Sequence, residues 1–331
     1  MKKTDEPEDI SPEEAELFTN LRAQTWPEFF GQENVKKSLS IAIEAARNRE
    51  EPLDHLLLYG PPGLGKTTLC HLIANELNVQ TKITSGTALT KVGDLAAIIT
   101  NLNPGDILFI DEIHRLPKAV EETLYPAMED YALDVVIGKG PTARSIRLDL
   151  PKFTLVGATT KFGLLSGPFR DRFGIIHRLS YYELLALQTI LLHSAKKLNV
   201  TLLESGAVAI AQRARGTPRI ALKLLKRVRD YLEVNHHPEI TGELVQTALD
   251  LFEIDQLGLD DSDRRLLTLI IDKHQGGPVG LSTLAAALHE DMVTIEEVIE
   301  PYLMQIGFLK RTSQGRMTTE AAKAHLKNSS K

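Results

Sequence analysis

Residues 56–68, Leu56-Leu57-Leu58-Tyr59-Gly60-Pro61-Pro62-Gly63-Leu64-Gly65-Lys66-Thr67-Thr68, decide the fold. Four apolar residues read as a buried strand, and the next nine fit the phosphate-cradling pattern G-x-x-x-x-G-K-[ST]. A helical pattern leaves the loop at Thr68 and runs to Asn78. The glycines Gly63 and Gly65 let the backbone turn its N–H groups inward, and the new helix adds its positive end. Lys66 is placed to reach the β- and γ-phosphates of a nucleotide, and the Thr67 hydroxyl to hold Mg²⁺, with Thr68 beside it. A Gly/Pro-rich turn alone explains the glycines but not the strand before and the helix after.

Outward from that loop, residues 21–181 alternate strand and helix. Strands are expected at His55–Tyr59, Gln80–Thr84, Ile107–Ile110, Phe153–Ala158 and Ile175–Leu179. Helices are expected at Val35–Arg49, Thr67–Asn78, Lys91–Thr100 and Lys118–Asp130. Such alternation predicts an α/β fold, a phosphate-loop core with a parallel sheet. The rhythm breaks near 131–150, where two short strands flank Gly138-Lys139-Gly140-Pro141 as a β-hairpin insertion. Residues 182–254 are helical throughout and form a small second domain. Residues 255–331 give three helices, the second capped by Ser282, then a hairpin around Ser313-Gln314-Gly315, the pattern of a winged helix.

Composition bounds the rest. A chain of 331 residues holds two or three domains at about 100–200 residues each. The net charge of −6 leaves any nucleic-acid contact to local basic patches. The single cysteine, Cys70, cannot form an intramolecular disulfide and reads as core packing in a reducing compartment. No apolar run approaches the ~20 residues of a membrane span, so no membrane contact and a cytoplasmic location are expected. The acidic stretch 1–20 is expected to be a disordered tail.

Several further residues carry chemistry. Ile107–Ile110 ends in Asp111-Glu112, one carboxylate suited to Mg²⁺ and the next to activating water. His114 completes an Asp-Glu-Ile-His run that also resembles a helicase box; a structural role and a coupling role are both open. Gly157-Ala158-Thr159-Thr160 ends the next strand, where a hydroxyl would sense a γ-phosphate, and either threonine qualifies. Arg170 and Arg172 share a short loop, and Arg219 opens a helix behind Pro218, a proline suited to a first helical turn. In the last domain Lys310, Arg311, Arg316, Lys323 and Lys327 have only Glu320 near them in sequence. That hairpin suits backbone phosphates of double-stranded DNA without base readout.

The order of these motifs resembles an AAA+ ATPase, and the wording resembles the RuvB family of bacterial Holliday-junction branch-migration motors. The matching segments are Asp54–Thr68, Gly93–Leu102, Leu108–Leu116, Glu121–Tyr131, Gly157–Thr160, Arg170–Gly174, Arg213–Arg219 and Gly276–Ala287. The resemblance implies ATP and Mg²⁺ as ligands, with Leu21, Arg22, Glu129, Asp130, Tyr131, Thr160, Tyr182 and Arg219 around the nucleotide. It implies Arg172 as a finger reaching a neighbouring subunit, a homohexamer acting on four-way DNA junctions, a RuvA-type junction-binding partner and a RuvC-type resolvase. The hairpin Val135–Leu148 would dock on the RuvA-type partner through Val135, Val136, Ile137 and Ile146. Two stretches depart from the family pattern. Leu21-Arg22-Ala23-Gln24 replaces the usual Leu-Arg-Pro-Lys, and Ser313-Gln314 stands where Pro and Arg are commoner. A clamp loader would need a clamp-binding peptide, a protein-remodelling chaperone would need pore aromatics, and neither is evident. A winged-helix regulator using ATP as a switch would require a specific operator.

Overall fold

The structure, a computed structural model, describes residues 20–137 and 144–329, apart from the side chains of 135–137, 144–145 and 328–329. The acidic tail expected over 1–20, but for Asn20, and the hairpin tip Gly138–Pro141 lie outside the described residues. By contact the chain divides into two units. One is residues 1–186 with Thr217–Arg219, the other Leu187–Gly216 with 220–331.

In the first unit, β1 (Leu56–Tyr59), β2 (Thr81–Ser85), β3 (Ile107–Asp111), β6 (Thr154–Thr159) and β7 (Ile175–Arg178) form one parallel sheet in the order β2-β3-β6-β1-β7. The interior strands β1, β3 and β6 are mostly apolar and buried along almost their whole length, as strands of a parallel sheet covered on both faces are. Leu57, Leu108, Ile110, Leu155 and Phe153 join Leu95, Ile99, Val120, Leu124 and Phe169 in one buried cluster. Ile113 lies so close over the sheet that a Cβ on Gly157 would meet its Cδ1 at 2.9 Å. Registers run Leu57↔Gly157 and Phe109↔Val156, so the carboxyl ends of β3, β6 and β1 stand side by side. The inserted hairpin is antiparallel, β4 (Ala132–Ile137) with β5 (Arg144–Asp149), and pairs Val135 with Ile146. Ile146 and Leu148 are exposed on it.

In the second unit the helices Glu204–Arg213 and Gly242–Leu251 pack together, tied by a parallel bridge between Leu202 and Ile240. Asp260 caps the helix Asp261–Thr268 in a capping box with Asp263, and that helix continues through a π turn at Leu269–Lys273. The next helix is Leu281–Leu288, capped by Gly280. Ser282 is therefore not the cap expected of it; it lies one residue inside the helix. A helical stretch over 292–305 follows, then β8 (Leu309–Thr312) paired with β9 (Gly315–Thr318). Val279 exchanges two backbone bonds with Arg316 and adds a third rung to the wing (2.9 and 2.8 Å). A final helix, Glu320–Ser329, was not expected; His325 Nε2 meets Asp255 Oδ2 at 2.7 Å and anchors it.

Candidate functional site

Three adjacent strand ends build the site. Behind β1, Gly60 donates its N–H to the Thr159 carbonyl (3.2 Å), which locks the loop onto β6. Gly60 sits at φ +142°, and a Cβ there would lie 2.4 Å from the Leu179 carbonyl oxygen, so only glycine fits. Lys66, the first residue of the helix Lys66–Leu77, is buried, and its Nζ donates to the carbonyls of Gly60 and Pro61 (2.9 Å each). Burial lowers its pKa, and the charges of Asp111 and Glu112 oppose that. Thr67 and Thr68 are half-buried at the same helix start. Tyr182 lies beneath the loop, donating its hydroxyl to the Leu64 carbonyl (3.1 Å), and burial raises its pKa.

At the end of β3, burial raises the Asp111 carboxyl. The Glu112 N–H on Asp111 Oδ1 (2.9 Å), Lys66 and Arg219 pull the other way. Glu112 takes a left-handed backbone (φ 45°), which turns its side chain out of the strand direction. Its Oε2 accepts from Thr160 Oγ1 at 3.0 Å and lies 3.1 Å from His114 Nδ1. Thr159 is fully buried, its Oγ1 accepting from Lys161 N–H (3.0 Å) and lying 2.9 Å from His114 Nδ1. Of the two threonines left open by the sequence, Thr160 is the one beside Glu112 and partly exposed.

Two arginines close the positive side. Arg219 backs onto the loop: a Cβ on Gly63 would meet Arg219 Cβ and Thr217 Cγ2 at 2.8 Å each. Burial, then the charge of Arg219, lowers the pKa of Arg22, whose own charge bears on His71; Leu21 beside it is buried. Lys66, Arg22 and Arg219 thus set three cations against Asp111 and Glu112. That excess of positive charge fits a polyphosphate. Among the described residues no group of three or more His, Cys, Asp or Glu is placed to hold a metal. Thr67 and Asp111 with phosphate oxygens match the sparse protein ligation usual for Mg²⁺.

Glu129, Asp130, Tyr131 and Arg172 are not brought to this site. The Tyr131 ring packs near His55 and Phe153 (centroids 6.3 and 6.0 Å). His55, just before β1, donates Nε2–H to the Met128 carbonyl (3.0 Å) and accepts the Leu155 N–H at Nδ1 (2.9 Å). These residues therefore stand at the amino ends of the strands. The four residues of β1 separate them from the loop by about 13 Å at ~3.3 Å per residue. Arg172 lies with them. Its guanidinium covers the Tyr125 ring at 4.0 Å, Nη1 donates to the Pro168 carbonyl (2.6 Å) and Nη2 meets Glu129 at 3.2 Å. Its Nε is buried and has no hydrogen-bond partner among the described residues. Asp130 pairs with Arg147 (2.7 Å).

In the second unit, sequence reasoning missed Arg215, in the segment Arg213–Arg219. Left-handed at φ 53°, it donates Nε–H to the Gly258 carbonyl (2.8 Å), pairs with Asp260 and Asp263 and lies 4.7 Å over the Tyr302 ring. Burial raises the Asp263 carboxyl against the pull of Arg215. On the wing, Lys310 is exposed, but Arg311 and Arg316 are already engaged. Both give Nε–H to Glu300, a fully buried carboxylate, at 2.6 and 2.7 Å. The expectation that only Glu320 opposes these cations is corrected: Glu300 and Glu296 come to them from the preceding helical stretch.

Three family models cover the chain: the Holliday junction DNA helicase RuvB P-loop domain over residues 21–179, the RuvB AAA lid domain over 182–255 and the RuvB C-terminal winged helix domain over 256–327. Among solved structures, the RuvB Holliday junction branch migration motor of Thermotoga maritima is 52% identical over 93% of this chain and 98% of its own, with a TM-score of 0.84. Two point mutants of Thermotoga maritima RuvB, one lysine-to-arginine and one arginine-to-alanine, match at the same identity and coverage with TM-scores of 0.84 and 0.83.

Proposed function

This chain belongs to the RuvB family, and from that premise we propose that it hydrolyses ATP with Mg²⁺ to drive branch migration of Holliday junctions. It would do so in the cytoplasm as a homohexameric ring on double-stranded DNA, docked on a RuvA-type partner and passing junctions to a RuvC-type resolvase. Lys66, Arg22 and Arg219 bind and neutralise the phosphates, while Thr67 and Asp111 hold the metal. Bound Mg²⁺ supplies charge neutralisation at the phosphoryl oxygens. Glu112 takes the proton of the attacking water on Oε1, while Thr160, with His114 beside it, holds Oε2 and so fixes the carboxylate in one orientation. Leu21 and Tyr182 shape the adenine side and the underside of the loop.

The observation that carries the reading is the division of the site residues between the two ends of one sheet. Tyr131 stands about 13 Å from the loop, with Glu129 and Asp130 just before it and Arg172 paired to Glu129, on the side where they would serve a neighbour's nucleotide in a head-to-tail ring. Ile146 is exposed on the inserted hairpin, which suits docking of the RuvA-type partner through it and Val135, Val136 and Ile137. The test mixes two inactive proteins. Arg172→Ala and Lys66→Ala should each lose turnover by ~10³ or more on duplex DNA. Their mixture should recover a measurable share, and with the RuvA-type partner it should move a synthetic four-way junction. Normal turnover by Arg172→Ala alone, or no recovery in the mixture, refutes the shared site.

A further inference from the structure

Arg311 and Arg316 are direct cross-strand partners on the wing, an arrangement in which like charges repel. The fold holds them together with one carboxylate. Glu300 is fully buried and each of its oxygens takes one Nε–H, from Arg311 at 2.6 Å and from Arg316 at 2.7 Å. Two guanidinium charges against one carboxylate leave the pair a single positive charge in excess. Glu296 supplies the balance. Its Oε1 lies 3.1 Å from Arg311 Nη1 and 3.7 Å from Arg316 Nη2, bridging the outer edges of both guanidinium groups. The two acids differ in one respect that matters: Glu300 is sealed, whereas the Glu296 side chain is 45% exposed and that of Arg311 40%.

We propose that Glu296 occupies the seat of a DNA backbone phosphate on the wing, and that duplex binding exchanges its carboxylate for a phosphate oxygen on Arg311 and Arg316. The chemistry matches on both sides. A phosphodiester carries the same single charge, and its oxygens meet the same Nη edges that Arg presents to carboxylates. An exposed ion pair is weak and screened by salt, so its displacement costs little. Glu300 stays in place through the exchange and fixes the inner edges of both arginines, so the outer edges keep one orientation. Glu296 is then a positioning and competing group: it holds the free arginine pair neutral and lowers the affinity of the wing for duplex. The inference rests on the reading that this hairpin meets duplex DNA.

The experiment is duplex affinity of the full-length chain by fluorescence anisotropy. It compares wild type with Glu296→Gln, with Glu290→Gln as a charge-matched control on the same domain, and with each in an Arg311→Ala background. Glu296→Gln is expected to bind duplex about 2–5-fold more tightly, the span of an exposed ion pair. Glu290→Gln should gain less, and the Glu296→Gln gain should vanish once Arg311 is gone. Unchanged or weaker binding by Glu296→Gln, an equal gain in the Glu290→Gln control, or a gain that survives Arg311→Ala overturns the proposal while wild type still binds. If wild type itself fails to bind duplex, the reading of the hairpin as a DNA contact falls, and this inference with it.

Discussion

Glu300→Gln should open the wing. In the wild type each Glu300 oxygen takes one charge-assisted bond from an Nε–H, at 2.6 and 2.7 Å, inside the fold. Glutamine keeps the shape but offers one accepting oxygen; its amide group turns N–H against the second guanidinium. One charge-assisted bond is lost, for about 1.5–3 kcal/mol. Two facing cations are also left without their buried anion, with only the half-exposed Glu296 beside them, and breaking a buried pair costs about 3–5 kcal/mol in all. Arg311 is 40% exposed and recovers some hydration, which places the total near the lower end, ~3 kcal/mol. Because 1.36 kcal/mol is tenfold, this amounts to about a 100-fold loss of protection in native-state hydrogen exchange at the Val279 and Arg316 amides. Those two amides close the rung between Val279 and β9, so they report the wing. The double variant Glu300→Gln with Arg316→Gln removes the stranded charge and should recover part of the loss. A loss under threefold in the single variant, or strictly additive losses in the double, refutes the reasoning.

Three other outcomes are expected. His55 is held neutral, because burial lowers its pKa more than the Met128 carbonyl and Asp54 raise it. The unfolded chain then binds the proton first, so this histidine's contribution is complete above its unfolded pKa of about 6.5 and falls as pH drops below it. His71 and His177 are lowered in the same sense, so the share of His55 is the difference in acid-side slope between wild type and His55→Gln in urea unfolding. Gly60→Ala places a Cβ 2.4 Å from the Leu179 carbonyl oxygen and should abolish ATP binding by calorimetry. Gly93→Ala, with nothing within 4 Å, should stabilise its helix by ~0.5–1 kcal/mol. Retained ATP affinity in Gly60→Ala would show that the loop adapts.

The parallel sheet was legible because its strands are apolar runs bounded by glycine and polar turns, and the loop after β1 is a nine-residue motif with few alternative meanings. Lys66, Thr67, Asp111 and Glu112 follow from it, since each sits next to a strand end whose position the pattern predicts. What was not legible depends on pairs far apart in the chain. Glu300 and Arg316 are separated by the rest of a helix, β8 and two turns, and a count of neighbouring charges finds Glu320 instead. Thr159 and Thr160 differ in that Thr159 is the last, buried residue of β6 and Thr160 the first beyond it, a strand end fixed by pairing with β1 and β3. The final helix, Glu320–Ser329, carries so few apolar residues (Ala321, Ala322, Ala324 and Leu326) that its period is faint, and the His325–Asp255 contact that anchors it is again long-range.

One physical feature joins the loop at Gly60 to the arginine at Arg172: the polarity of a parallel sheet. Every strand of such a sheet ends on the same side, so the residues after β1, β3 and β6 converge without further design. By the same rule, residues before those strands gather on the other side and cannot reach the first set within one chain. Arg172 stacked on Tyr125 and paired with exposed Glu129 is thus held where it has no phosphate of its own chain to meet. On the proposed reading this separation is what makes turnover depend on assembly. Lys66, Asp111 and Glu112 bind and polarise, but the charge that completes the transition state arrives on another copy's opposite sheet end. Moving Arg172 to the loop side of its own chain would remove that dependence, and with it the coupling of hydrolysis to the ring.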